Sequence, residues 1–172
     1  MRTPALRADM AECNDCAVSD FLYAVEREYD IPVEILWGAW TDADALQSWY
    51  HPTDLRNVPD SVVSEPVPGG WWTCAVDVPE HGFVSYFFGR YLVVVENARL
   101  EHSLHYTQSA EEFAARDEGT PSHRVVVEFE SRGFRSWVKY SQFGELPEGQ
   151  AVRAQAGMES YFDSLEAFLA VQ

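Results

Sequence analysis

The stretch PEGQAVRAQAGMESYFDSLEAFLAVQ, residues 147–172, decides how the rest of the chain must be arranged. Its apolar residues are Met158, Tyr161, Phe162, Leu165, Phe168 and Leu169, separated by three residues or one. Side chains three and four apart share a helix face, so the spacing predicts one long helix with a single apolar stripe. Glu159, Asp163, Ser164 and Glu166 fall on the other side, which suits water. Gly157 sits inside this pattern and costs about 1 kcal/mol relative to alanine. Close approach of another backbone or a ligand is one physical reason to keep a glycine there. A striped helix needs a matching surface, and what precedes it reads mostly as strands. The expected arrangement is a sheet wrapped around this helix.

Working back from the helix, residues 18–29 alternate. Phe21, Tyr23, Val25 and Tyr29 face one way, and Asp20, Glu26 and Glu28 the other, as in a half-exposed strand. Pro32 then suits the first turn of a helix whose apolar face is Val33, Leu36, Trp37 and Trp40. Thr41 and Asp44 read as a capping box for a second short helix, with Leu46, Trp49 and Tyr50 on its buried side. Residues 51–60 read as a loop. Strands are expected at 62–67, 70–78, 83–96, 99–108, 123–130 and 134–143. Short links such as Pro68-Gly69 and Asn97-Ala98 favour antiparallel hairpins. Residues 109–117 read as a brief acidic excursion capped by Ser109 and Glu112.

The chain has 172 residues, 47% of them hydrophobic, which is enough for one domain with a sizeable core. Twelve basic residues against 28 acidic ones leave a formal charge of −16. Nucleic acid and anionic membranes both demand a basic surface, so neither is an expected partner. No apolar run approaches a membrane span, and the first residues lack the apolar core of a signal peptide. A cytoplasmic protein is the default expectation, and three cysteines suit that compartment better than a disulfide scaffold. Cys13 and Cys16 form a lone CxxC, without the second pair or nearby histidine of a zinc site. Six tryptophans and an acidic face are compatible with a homodimer.

Four stretches together give the chain a family likeness. They are 31–42 (IPVEILWGAWTD), 46–52 (LQSWYHP), 89–100 (GRYLVVVENARL) and 157–165 (GMESYFDSL). In this order they resemble the START-like helix-grip superfamily (SRPBCC). The nearest likeness is to the group related to the C-terminal domain of the activator of heat-shock-protein-ninety ATPase. Met158 stands where that group usually has tryptophan, and Val93 replaces a common acidic residue. The resemblance implies an α+β helix-grip fold, a curved antiparallel sheet of about seven strands around the C-terminal helix. It also implies two short helices after the first strand. On that reading residues 1–17 are a loose leader and 18–172 a single domain. Relatives include carriers, cyclases, hydroxylase subunits and co-chaperones, so the fold alone leaves function open.

Chemistry-bearing residues are few. No Gly-x-Ser-x-Gly elbow occurs, and Cys74 lies mid-strand, where a buried, inert thiol is expected. His102 and His105 lie three apart on a strand and so face opposite ways, which argues against a shared metal. His102 shares a face with Leu100, Leu104 and Tyr106, so it is the histidine expected to point inward. It is either a satisfied core histidine or a proton donor or acceptor for a ligand. Arg90 shares a face with Phe88, Leu92 and Val94. A cation there needs a carboxylate of the protein or an acidic group on a ligand, unless Leu92 faces outward and Arg90 is solvated.

The aromatic residues exceed what a plain core needs, and an apolar wall with a few polar groups is the usual form of a small-molecule site. The expected cavity wall draws on Trp37, Trp49, Tyr86, Phe88 and Arg90 in the first half of the chain. His102, Tyr106, Tyr140, Met158 and Phe162 complete it. Met158 in place of tryptophan would leave room beside the helix. The preferred reading is a domain that binds a small apolar or aromatic molecule between sheet and helix, with no cofactor and no metal. One alternative is a cyclase- or hydrolase-type enzyme using His102 and Arg90. Another is an interaction module whose acidic surface docks to a chaperone or regulator.

Overall fold

The computed structural model describes residues 20–172. The Cys13/Cys16 pair and the stretch read as a leader lie outside them. The elements run β1 (Phe21–Tyr29), α1 (Val33–Thr41), α2 (Ala43–Trp49), β2 (Arg56–Asn57), β3 (Val63–Ser64) and β4 (Trp71–Val78). They continue with β5 (Phe83–Val95), β6 (Arg99–Thr107), α3 (Ala110–Ala115), β7 (His123–Arg132), β8 (Arg135–Phe143) and α4 (Gln150–Leu169). The strands form one antiparallel sheet in the order β1-β8-β7-β6-β5-β4-β2, with the two-residue β3 beside β4. The first strand thus pairs with the last, and the sheet curls around α4. No described helix is long and apolar enough to cross a membrane.

The stripe on α4 behaves as its spacing requires. Met158, Phe162, Leu165 and Leu169 are buried, and Tyr161 and Phe168 are half-buried. Full burial of a side chain such as Phe162 or Leu165 contributes about 1.5–3 kcal/mol. Trp40 of α1 sits at the centre, with ring centroids 5.0 Å from Trp49, 5.9 Å from Phe162 and 6.3 Å from Tyr140. The polar side of α4 is less solvated than expected. Ser164 is buried and donates to His51 O, at 2.7 Å. Glu159 and Asp163 instead bind Arg27 of β1, at 2.9 and 2.7 Å. Burial opposes the charge on Arg27, and the bonds to Glu159 and Asp163 outweigh it.

Several local expectations change. Phe21 is 49% exposed, because a bulge between Phe21 and Tyr23 turns it off the buried face. The cap of α2 is Asp42, whose carboxylate accepts from Ala45 N at 2.9 Å, while Thr41 bonds back to Trp37 O. Ser109 caps α3 as expected, accepting from Glu112 N. The strand expected at 62–67 shrinks to β3, since Pro66 and Pro68 cannot donate to a ladder. The last hairpin turns on Gly133 and Phe134, with Gly133 at φ 72°.

Candidate functional site

The sheet has an inner face toward α4 and an outer face partly covered by α3 and the residues after it. On the inner face lies a cavity of about 220 Å³. Ala154, Gly157, Met158 and Tyr161 of α4 form one wall, and Tyr50 closes it from the end of α2. Trp72, Phe87 and Leu104 form the sheet wall, and Tyr23, Tyr140 and Gln142 its polar end. Phe87, Leu104, Ala154, Gly157 and Tyr161 are half-buried, so the cavity reaches the surface beside the start of α4. A Cβ on Gly157 would meet nothing within 4 Å. That glycine admits no crossing backbone; it leaves open space on the helix side.

The wall at Trp72 depends on Gly89. Trp72 and Gly89 are opposed in the β4–β5 ladder, and the indole crosses over the glycine to donate to Ser103 O at 2.9 Å. A Cβ at Gly89 would lie 1.9 Å from Ser103 O and 2.6 Å from the indole nitrogen. Only a residue without a side chain lets Trp72 lie there.

At the polar end, Gln142 Oε1 accepts from Tyr23 at 2.6 Å and from Tyr140 at 3.2 Å. The amide nitrogen of Gln142 donates to His123 Nδ1 at 2.7 Å. His123 therefore carries its proton on Nε2, which donates to Glu145 O at 3.0 Å. The hydroxyls of Tyr50 and Tyr161 make no hydrogen bond among the described residues, and neither is one of the buried polar atoms left without a partner, so both stay open to solvent or a ligand. Burial raises the pKa of Tyr23, Tyr50, Tyr140 and Tyr161 alike, so all four stay neutral. Among the described residues, none that lines the cavity carries a charge.

Of the residues singled out in the sequence, Tyr140 and Met158 line this cavity. His102 points inward but lines a separate space of about 20 Å³ shared with Tyr50, Trp72 and Tyr91. Its Nδ1–H donates to Ser103 O at 2.9 Å, and burial lowers its pKa to about 4 against the help of that bond. Trp49 and Phe162 are packed into the core, and Trp37 is half-buried with its ring 5.2 Å from Phe129. Tyr106 is on the inner face but 51% exposed at its rim, against Phe87.

Tyr86, Phe88 and Arg90 are corrections, because all three sit on the outer face. Tyr86 packs on Phe113 of α3, and Phe88 lies flat against His105, with ring centroids 4.9 Å apart. Arg90 lies 3.7 Å over the Trp71 ring, pairs with Glu118 at 3.0 Å and donates to Gly69 O. Its partner is thus a carboxylate of the protein. Phe87, Gly89 and Tyr91 are the inward residues of β5, and a bulge between Tyr91 and Val93 leaves Leu92 49% exposed. Arg90 and His102 lie on opposite faces and cannot act on one ligand. Cys74 is buried, which pushes its thiol up and leaves it unreactive. Among the described residues no group of three or more His, Cys, Asp or Glu could hold a metal ion.

The sequence reading set Tyr23 on one face of the first strand and Tyr50 on the buried side of the second helix, and it named none of Tyr23, Tyr50, Trp72, Phe87 and Gln142 as cavity wall. Gln142 had a signal: it lies two residues after Tyr140 on a strand, so both must share a face.

A long C-terminal helix gripped by a curled antiparallel sheet, with a cavity between them, defines a helix-grip domain. The family model described as Activator of Hsp90 ATPase homolog 1-like protein matches residues 30–170, and the chain belongs to that family. Solved structures share the fold at low identity. An AHSA1 protein from Silicibacter pomeroyi superposes with a TM-score of 0.71 at 18% identity, covering 87% of this chain and 97% of that one. A protein from Rhodobacter sphaeroides gives 0.70 at 21% identity, covering 89% and 95%. One from Chromobacterium violaceum gives 0.69 at 19%, covering 84% and 94%. No curated protein matches the sequence.

Proposed function

We propose that this chain binds a small, uncharged, apolar or aromatic molecule between the sheet and α4. One observation carries the reading: a cavity of about 220 Å³ with apolar walls is lined by two tyrosines, Tyr50 and Tyr161, whose hydroxyls make no hydrogen bond among the described residues. Neither hydroxyl is sealed from solvent, so Tyr50 and Tyr161 are free to meet a ligand in place of water. The volume suits a compact ligand of about two fused rings rather than a lipid.

Met158 is the place to test it. A tryptophan there would fill the space beside α4 that methionine leaves, while the helix stripe stays apolar. Native mass spectrometry of the protein, before and after mild unfolding, should show an added mass that leaves on unfolding. In Met158→Trp that mass should be absent, with the thermal midpoint kept. Equal occupancy of the variant and the wild type, or no retained mass in either, would count against the cavity as the site.

A further inference from the structure

We propose that the cavity selects a neutral ligand bearing a hydroxyl group, because its polar end presents hydrogen-bond acceptors and no charge. This rests on the cavity being the binding site, and it names the class of molecule the site takes.

The inference comes from following each proton at the polar end. Tyr23 and Tyr140 both point their hydroxyl protons at Gln142 Oε1, at 2.6 and 3.2 Å. With its proton engaged, each phenol oxygen offers only lone pairs to a ligand. Turning the Gln142 amide over would release those protons, but the structure opposes it. A reversed Gln142 would present its oxygen to His123 Nδ1, which would then need the proton that Nε2 now donates to Glu145 O. Glu145 O, through His123 and Gln142, therefore fixes which way Tyr23 and Tyr140 face. A ligand must bring a donor to this end.

Elsewhere in the cavity Tyr50 and Tyr161 have hydroxyls without partners, and each can give one hydrogen bond and accept another. Tyr50 is only 9% exposed, and it lines both inner spaces. A single ligand hydroxyl can give its proton to one phenol oxygen and receive a proton from another. Charge is excluded on separate grounds. Among the described residues no lysine, arginine, aspartate or glutamate lines the cavity, so an ionised ligand would find no counterion among them. The chain's charge of −16 adds to the penalty for an anion.

Four naphthalenes of similar size separate these terms at pH 7: 2-naphthol, 2-methoxynaphthalene, 2-methylnaphthalene and 2-naphthoate. Titrating each into the full chain, followed by tryptophan fluorescence or calorimetry, should find 2-naphthol bound about threefold to tenfold more tightly than the methoxy and methyl compounds. The methoxy compound keeps the oxygen and lacks the proton, so it can accept from Tyr50 or Tyr161 but gives nothing to Tyr23 or Tyr140, and it should fall between 2-naphthol and the methyl compound. Naphthoate should bind weakest. In Tyr23→Phe/Tyr140→Phe/Gln142→Leu, which removes every acceptor of the polar end, the advantage of 2-naphthol over 2-methoxynaphthalene should fall to within about twofold. The ligand series alone decides the matter if that variant does not fold. Equal or inverted affinities among neutral probes that still bind, or tightest binding of naphthoate, would overturn the hydroxyl selection and leave the cavity reading standing. Failure of all neutral probes, or binding untouched by Met158→Trp, would overturn both.

Discussion

On the outer face of the sheet His105 lies flat on Phe88 and its Nδ1 donates to Thr120, while Arg90 covers Trp71 and is held by Glu118. On the inner face His102, three residues earlier on the same strand, bonds one backbone carbonyl, packs with its ring centroid 4.5 Å from that of Trp72, and borders the small space of about 20 Å³. Both histidines are buried, and burial lowers the pKa of each. Around Phe88 and Arg90 the outer side is covered by α3 and residues 117–120, and its polar groups there find protein partners, while toward Asp77, Tyr86 and Gln108 it keeps an open polar pocket. The inner side keeps a cavity of about 220 Å³ and two phenols without partners. A filled layer and an unfilled one therefore share one sheet, which locates binding chemistry on the inner face. Aromatic content does not make that distinction, because both faces are rich in it.

The comparison breaks first at Gly89, where the two faces meet. Its place under Trp72 is one that no Cβ can share, with Ser103 O only 1.9 Å away. Gly89→Ala should lose about 3 kcal/mol of stability, at the upper end for overpacking, as read from the denaturant midpoint. It should also displace Trp72 and abolish probe binding. A variant with wild-type midpoint and affinity would mean that the indole is free to sit elsewhere, and that the inner wall is not built as described.

Acid should act next, through the inner histidine. The folded chain holds His102 near 4 against an ordinary value of 6.5, so the unfolded chain takes up this proton first as pH falls. The stability it supports is complete above about 6.5 and is lost between 6.5 and 4. The full loss is on the order of 3 kcal/mol. His102→Gln should flatten that part of the stability–pH curve, measured by urea unfolding at several pH values. A curve as steep as the wild type would place the acid sensitivity with His105 or the carboxylates instead.

Much of this was legible in the chain. The stripe from Met158 to Leu169, the turn residues and the alternation at Tyr23, Val25 and Tyr29 led to the helix, the hairpins and the inward face of β1. The four family-like stretches led to the helix-grip arrangement, in agreement with the family match. The site was harder, for a physical reason visible in β5. Its run Tyr86-Phe87-Phe88 puts aromatic rings on both alternating faces, because α3 covers the outer one, so period-two reasoning had only Arg90 to mark the outer side. Tyr86, Phe88 and Arg90 were therefore set inside and Phe87 overlooked. Arg27 was missed because its three carboxylate partners, Glu159, Asp163 and Glu166, come from the distant α4.

The mildest prediction concerns the residue whose assigned side changed. Arg90→Ala removes the contact over Trp71 and the pair with Glu118, in which both side chains are partly exposed. Such half-solvated contacts are worth about 1 kcal/mol or less, so the thermal midpoint should fall by only a few degrees. Affinity for 2-naphthol should not change, since the sheet separates this guanidinium from the cavity. Here the null result is the informative one. If Arg90→Ala weakened the probe as Gly89→Ala should, the outer layer would be setting the position of Trp72 through β4, where Trp71 and Trp72 are adjacent. The filled face would then be the support that holds the unfilled one open.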